Sequence, residues 1–345
     1  MPKLVSYVIP CYHSEATVGQ VVDDIIEAVR NDGRFNLEIV LVNDNPPDAT
    51  WDTIMELCRK HPCVHGYCMT HNFGQHAALI AGYGKAHGDI VVSLDDDGQT
   101  PPSESFKLID ALKGNVDLVY ASYPENAYAS LFRKLGSKVN DISSQAFIGK
   151  PKDVYLSSYL ATTHEVIQRV IAYKGPYPYV DGLMLQCCTE VRPVPVRHDD
   201  RASGSSGYSL GKLLSLWLNG FTSFSVKPLR LSVLLGFVFC IISFLVLVVL
   251  VVRKLIMKDA IDAGWSSLMC AITLVGGLIM MMLGMVGEYV GRVFMSLNGS
   301  PQYFIRHASD DLLDASPELS RTSEEASPSQ GEDSRTGKAG DEKAW

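Results

Sequence analysis

Asp95-Asp96-Asp97-Gly98-Gln99 closes the apolar run "DIVVSL" and opens onto two prolines. Three adjacent carboxylates repel one another, so such a cluster is either a solvated turn or the seat of a divalent cation. Residues two apart on an extended segment point the same way. Asp95 and Asp97 can therefore reach one ion while Asp96 faces elsewhere. Carboxylate oxygens suit Mg²⁺ or Mn²⁺, which keep positions open for water and substrate phosphates. Such a cation neutralises the negative charge of a bound phosphate. Arg201 and Lys212, in "RASGSSGYSLGKL", supply positive charge of the kind that grips phosphate oxygens.

These groups need a frame. "LVSYVIP" (4–10), "LEIVLVND" (37–44), "DIVVSLDDD" (89–97) and "DLVYAS" (117–122) read as strands, separated by amphipathic stretches such as "SEATVGQVVDDIIEAVR". Near-continuous apolar strands alternating with helices predict an α/β fold, a parallel sheet covered by helices. Ligands of such sheets bind beyond the carboxyl ends of the strands. Three strands end there in polar clusters, Pro10–Glu15, Asn43–Asp48 and Asp95–Gln99.

Two apolar segments follow, about 232–252 and 265–286, and neither carries a charge. Each is long enough to cross a hydrocarbon core of about 30 Å. The loop between them is short, so they predict a transmembrane hairpin with both chain ends on one side. The basic flanks, the free cysteines and an N-terminus that reads as a strand rather than a signal peptide favour the cytoplasmic side. Residues 207–230 predict an interfacial amphipathic helix, 293–307 a juxtamembrane segment, and 308–345 a disordered acidic tail.

The eight cysteines form no CxxC pair, and the Cys58, Cys63, Cys68, His61, His65 and His71 run matches no common zinc spacing. The net charge is −8, of which −6 lies between Asp310 and Trp345. No basic face for nucleic acid is left in the remainder. Gly82 and Gly84 read as helix-packing glycines, because no GxGxxG or Walker motif surrounds them.

The order of "VIPCYHSE", "VNDNPPDAT", "HNFGQHAALIAGYGKAHGDIVVSLDDDGQTPP" and "RASGSSGYSLGKL" resembles that of the family-2 glycosyltransferases, whose GT-A fold is a Rossmann-like, mostly parallel sheet with flanking helices. The ending, with "GMVGEYVGRVF" and "SPQYFI", is similar to that of the polyprenyl-phosphate glycosyltransferases, relatives of dolichol-phosphate mannose synthase. These include the bacterial enzymes that load undecaprenyl phosphate with glucose or formamido-arabinose. The resemblance implies a catalytic domain over residues 1–206 and a membrane part over 231–292.

It also implies residue roles. Pro10, Tyr12 and Glu15 match the strand end that lines the nucleotide site, and Asp44 the acid that contacts the nucleoside. Asp95, Asp97 and Gln99 match the motif that holds Mg²⁺ or Mn²⁺ and the donor diphosphate. Arg201, Ser206, Tyr208 and Lys212 match the motif for acceptor and diphosphate binding. Asp153 is the candidate for an acid often supplied near that position, and Asp181 is a further acid on the acceptor side. Four departures stand out: His13 replaces Asn, Asn43 replaces Asp, Asn45-Pro46-Pro47 replaces Gly-Ser-Thr, and Asp96 with Gly98 replaces Ala-Leu.

The implied reaction moves a sugar from a nucleotide donor, UDP-linked, to undecaprenyl phosphate, with inversion in one displacement. A lipid monophosphate has a second pKa of about 6, so it arrives deprotonated and a strong general base matters less than the metal ligands. The resemblance further implies a homo-oligomer, a tetramer, in the bacterial inner membrane. Two rival readings are a transferase acting on another glycan or lipid, and an inactive membrane-anchored homologue with altered loops.

Overall fold

The computed structural model describes residues 2–123, 145, 149–176, 178–197 and 265–313, with isolated helical positions between 234 and 252. Its elements are β1 (Lys3–Cys11), α1 (Val18–Asp32), β2 (Phe35–Asn43), α2 (Thr50–Lys60), β3 (Val64–Met69), α3 (Gln75–Tyr83), β4 (Ile90–Ser93), α4 (Ser105–Ala111), β5 (Val116–Ser122), β6 (Leu160–Thr163), α5 (His164–Ile171), α6 (Val180–Cys187), β7 (Glu190–Pro195), α7 (Trp265–Leu297) and β8 (Ile305–Ala308).

The eight strands form one sheet in the order β7-β5-β6-β4-β1-β2-β3-β8. β1 pairs in parallel with both β2 and β4, and β2 with β3. Two strands run against the rest. β6 lies antiparallel between β4 and β5, and β8 lies antiparallel on the outer edge of β3. The parallel expectation therefore holds for the strands that carry the polar clusters, and the sheet as a whole is mixed.

Alternation along the strands sorts the core into two layers. Tyr7, Ile9, Ile39 and Leu41 pack against α1, α2 and α4, while Val8, Val40 and Val42 pack against α3 and, farther along the sheet, α5 and α6. α1 shows why such a stretch is helical and one-sided. Val18, Val21, Val22, Ile25 and Val29 recur at intervals of three and four and are all buried. It stops at Gly33, whose φ of +70° suits a residue without Cβ, and whose N–H bonds back to the Val29 carbonyl. α3 lies close on the sheet because of Gly82. A Cβ there would collide with Val8 and would meet Val42 at 3.1 Å.

α7 is 33 residues long and continues past the expected end at 286. Leu274–Leu297 is apolar enough to cross a membrane, with a mean hydropathy of 1.6, and none of that stretch is buried within the chain. Gly236, from the first apolar segment, lies against the Met282 side chain of α7. The chain then returns to the sheet. Ile305–Ala308 pairs with β3 as an edge strand, although the sequence placed 305–307 in a juxtamembrane segment and 308 at the head of a disordered tail, and residues 309–313 continue as a helical turn. The expected interfacial helix over 207–230 and the acidic tail beyond Leu313 lie outside the described residues.

Candidate active site

The order of connections places a crevice between β1 and β4. From β1 the chain passes through α1 to β2 on one side. From β3 it crosses through α3 to β4 on the other. Such a switch point leaves a cleft at the carboxyl ends of the two strands. Here β1 and β4 remain in register only from Val5–Ile90 to Val8–Ser93. Pro10 lies beyond that register, opposite Val42 of β2. A proline that cannot donate is tolerated in a central strand at such a point.

The Asp95–Gln99 loop leaves β4 on one wall of the cleft. Asp95 is held from two sides. Gln75 Nε2, at the start of α3, donates to its Oδ1 at 2.9 Å, and Ser158 Oγ donates to its Oδ2. Asp97 accepts the backbone N–H of Gln99 at 3.1 Å, which closes a tight turn through Gly98, where φ is +72°. Asp96 turns the other way. Its Oδ2 accepts the backbone N–H of Tyr12 at 3.1 Å and the Ser14 hydroxyl across the cleft. Burial raises the Asp96 carboxyl pKa, against the lowering effect of those two bonds.

The opposite wall comes from the loops after β1 and β2. Tyr12 is 47% exposed at the rim, with the His13 ring edge-on at 4.5 Å. Ser14 is buried and receives its own support, since its N–H donates to Thr50 Oγ1 at 2.9 Å. Glu15 Oε2 accepts the Ala49 N–H at 3.0 Å, which ties the first loop to the second. His13 and Asn45 both have positive φ, +60° and +48°. His and Asn are among the few side chains that tolerate this region. Asn45 thus takes a conformation that a glycine adopts freely, although the sequence there departs from Gly-Ser-Thr.

Asp44 is buried at the foot of this wall. Its two oxygens accept the N–H groups of Phe73 at 2.7 Å and Gly74 at 2.8 Å. Burial raises its pKa, and the two amide bonds oppose the rise. Asp44 therefore fixes the loop that leads into α3, the helix that brings Gln75 to Asp95.

Asp181, in the first turn of α6, lies against the aromatic layer under α3. Tyr120 Oη donates to its Oδ1 at 3.2 Å. Burial pushes the Asp181 carboxyl up to about 6. His76 stacks edge-on against Tyr179 at 5.0 Å, and burial pushes its pKa down to about 4. Asp153 is separate from this group, in an exposed turn closed by the Val154 N–H to the Pro151 carbonyl. Arg201, Ser206, Tyr208 and Lys212 lie outside the described residues.

The structure thus gathers Tyr12, Glu15, Asp44, Asp95, Asp97 and Gln99 around one cleft, with Pro10 at its base. It adds Ser14, Gln75 and Ser158, which the sequence reading did not single out. Gln75 follows the quoted "HNFG", where its place in the first turn of a helix was legible. Ser158 sits in "YLSSYL", and nothing local marks it as a partner for a residue 63 positions away. Two carboxylates and an amide oxygen are hard donors, and Asp95 is oriented by neutral hydrogen bonds of the sort that steady a metal ligand. Among the described residues no group of three or more His, Cys, Asp or Glu side chains is set to hold a metal. A site completed by water and diphosphate oxygens needs fewer protein ligands than that.

Residues 6–172 match the model of glycosyl transferase family 2. Over 336 residues the chain is 30% identical to an undecaprenyl-phosphate 4-deoxy-4-formamido-L-arabinose transferase of Pseudomonas paraeruginosa, covering 94% of this chain and 97% of that protein. The Aeromonas hydrophila protein of the same name is 30% identical over 305 residues, covering 88% and 93%. A crystal structure of glucosyl-3-phosphoglycerate synthase from Mycobacterium tuberculosis with Mn²⁺ and UDP-glucose aligns at a TM-score of 0.46 and 18% identity, over 64% of this chain and 77% of that one.

Proposed function

The chain belongs to glycosyl transferase family 2, and on that premise we propose that it transfers a sugar from a UDP-linked donor to undecaprenyl phosphate at the membrane surface. The observation that carries this reading is the position of Asp95, Asp97 and Gln99 at the β1–β4 switch point, with Asp95 held by Gln75 and Ser158. The acceptor class is supported by relatives of that specificity whose similarity runs through the apolar C-terminal region as well as the catalytic domain.

Asp95, Asp97 and Gln99 would hold Mg²⁺ or Mn²⁺. Such an ion, when bound, supplies charge neutralisation for the departing diphosphate. The chain's own residues do the rest. Asp96 holds the β1 loop closed toward the β4 loop, so that Tyr12 borders the nucleotide. Asp44 sets the Phe73-Gly74 backbone beside the nucleoside. Arg201 and Lys212 bind phosphate oxygens of donor and acceptor. The acceptor monophosphate is largely dianionic at neutral pH and attacks without a strong base, which assigns Asp153 a secondary role. Helix α7, with the first apolar segment, keeps the domain where its lipid acceptor is confined, which raises the effective concentration. The catalytic domain and both termini face the cytoplasm, and the chain assembles as a homo-oligomer, a tetramer.

The inactive-homologue reading rests on the unusual "DDDG" and "NDNPP" loops. Asp96 has a defined partner in each of Tyr12 and Ser14, and Asn45 occupies a backbone region that suits it. Both departures fit a working cleft.

The test is incubation of the detergent-purified chain with undecaprenyl phosphate, Mn²⁺ or Mg²⁺ and a panel of nucleotide sugars, followed by mass analysis of the lipid. A mass increase by one glycosyl unit, lost on chelation, is expected. Metal-dependent turnover of donor without lipid product would point to another acceptor, and no turnover at all would remove the enzymatic reading.

A further inference from the structure

The stretch after the apolar helix does more than leave the membrane. Only six residues separate Leu297, the last residue of α7, from Phe304. Within them Gln302 Nε2 donates to the carbonyls of Tyr173 at 3.0 Å and Gly175 at 2.7 Å, which fixes this segment to the end of α5. β8 then pairs with β3, and the Gly66 N–H donates to Ser309 Oγ at 2.9 Å. Between these two anchors stands Phe304.

Phe304 touches the loop from Thr70 to Gly74 twice. Its carbonyl accepts the Thr70 N–H at 2.9 Å. Its ring lies 6.3 Å from that of Phe73, which in turn stacks on His71 at 3.8 Å. The same loop is gripped from the other side. Asp44 takes the N–H groups of Phe73 and Gly74, and Asn45 Nδ2 donates to the Thr70 carbonyl at 3.1 Å. Five residues are thus held between the end of β2 and the segment that emerges from α7. Aromatic pairs contribute beyond the area they bury, and a small shift of a positioning loop carries a large penalty in binding. Phe304 is nevertheless 51% exposed, more than a core role requires.

We propose that Phe304 is a positioning residue for the nucleotide donor: through Phe73 and Thr70 it sets the loop that Asp44 clamps, so that the segment leaving the apolar helix adjusts donor affinity. This rests on the donor reading given above.

The test uses the full-length protein in detergent, with binding of UDP, GDP and dTDP measured by calorimetry in Mn²⁺ and amide hydrogen exchange followed over residues 70–74. Phe304→Ala is expected to weaken binding of whichever nucleotide the wild type takes by about tenfold. It should speed exchange at 70–74 while leaving β1 protected. In turnover KM for the donor should rise with kcat within about twofold, and Phe304→Tyr should restore both. Phe304→Leu, which keeps apolar bulk and loses the ring, carries the same expectation at about threefold and serves if the alanine variant loses its fold. Unchanged nucleotide affinity in both variants overturns the proposal. Wild-type protein that binds none of the three nucleotides overturns the donor reading and this role with it.

Discussion

The Asp96 carboxylate accepts the backbone N–H of Tyr12 at 3.1 Å, although the two residues belong to the loops after different strands and stand on opposite walls of the cleft. The middle member of the acidic run thus points away from its neighbours and fastens the β1 loop to the β4 loop. Its second bond, from the Ser14 hydroxyl, reaches the same loop. Removing an acceptor from two donors costs about 1–3 kcal/mol. Asp96→Ala is therefore expected to raise the donor KM by about tenfold with a smaller change in kcat. Asp96→Asn keeps an acceptor oxygen and should recover most of the loss. Steady-state kinetics on the three proteins decide the matter, and equal KM values would remove the bridge from the mechanism.

Asp97 and Asp95 have a different expected signature. Loss of a metal-holding carboxylate should lower turnover by about 10³-fold or more in Asp97→Ala, and chelation should do the same to the wild type. Ser158 acts through Asp95, so Ser158→Ala should cost about tenfold and shift the metal concentration needed for half-maximal rate. Asp153→Ala should cost less than either. Lipid-product yield against added Mn²⁺ measures all four; full activity in Asp97→Ala would contradict the metal assignment.

Asp181 yields a prediction about pH. Its pKa in the fold is about 6, against about 3.9 in an unfolded chain. The folded state therefore favours the protonated form. Stability from this group is fully present below the unfolded value, falls as pH rises, and is lost once pH passes about 6. Ionising the buried carboxyl costs about 3 kcal/mol above that pH. Asp181→Asn retains an acceptor for Tyr120 and carries no charge. It should raise Tm at pH 8 and flatten the dependence between pH 4 and 6, as followed by thermal unfolding in detergent. A lower Tm at pH 8 would show that the charge is compensated.

Gly82 tests the close approach of α3 to the sheet. A methyl group there collides with Val8, a branched side chain in the middle of β1 that has little room to yield. Gly82→Ala is expected to destabilise the protein by about 1–3 kcal/mol. Since α3 carries Gln75, activity should fall as well. Melting temperature reports the first effect and product formation the second.

Much of this protein is legible in one dimension. Four apolar runs, three of them ending in polar clusters, announce strands, because a strand buried on both faces must be apolar throughout. The acidic loop after β4 marks a position that is either a solvated turn or a cation seat, because adjacent carboxylates repel one another. The apolar segment at 265–286 is recognisable from composition, yet it forms only part of a helix that runs to Leu297. Ile305–Ala308 gave no strand signal, because four residues on an edge need no periodic pattern when β3 supplies the hydrogen bonds.

The amino-acid order by itself determined which residue types could do chemistry and which end of the sheet they occupy, since side-chain type and strand polarity are local properties. Only the tertiary structure decided how they are held: Asp96 against Tyr12, Asp95 between Gln75 and Ser158, Asp44 under Phe73 and Gly74, and Phe304 on the far side of the same loop. Each of these joins residues distant in the chain through hydrogen bonds or ring contacts only a few ångströms long, and which distant pairs come that close is fixed by strand order and helix crossing, not by spacing along the sequence.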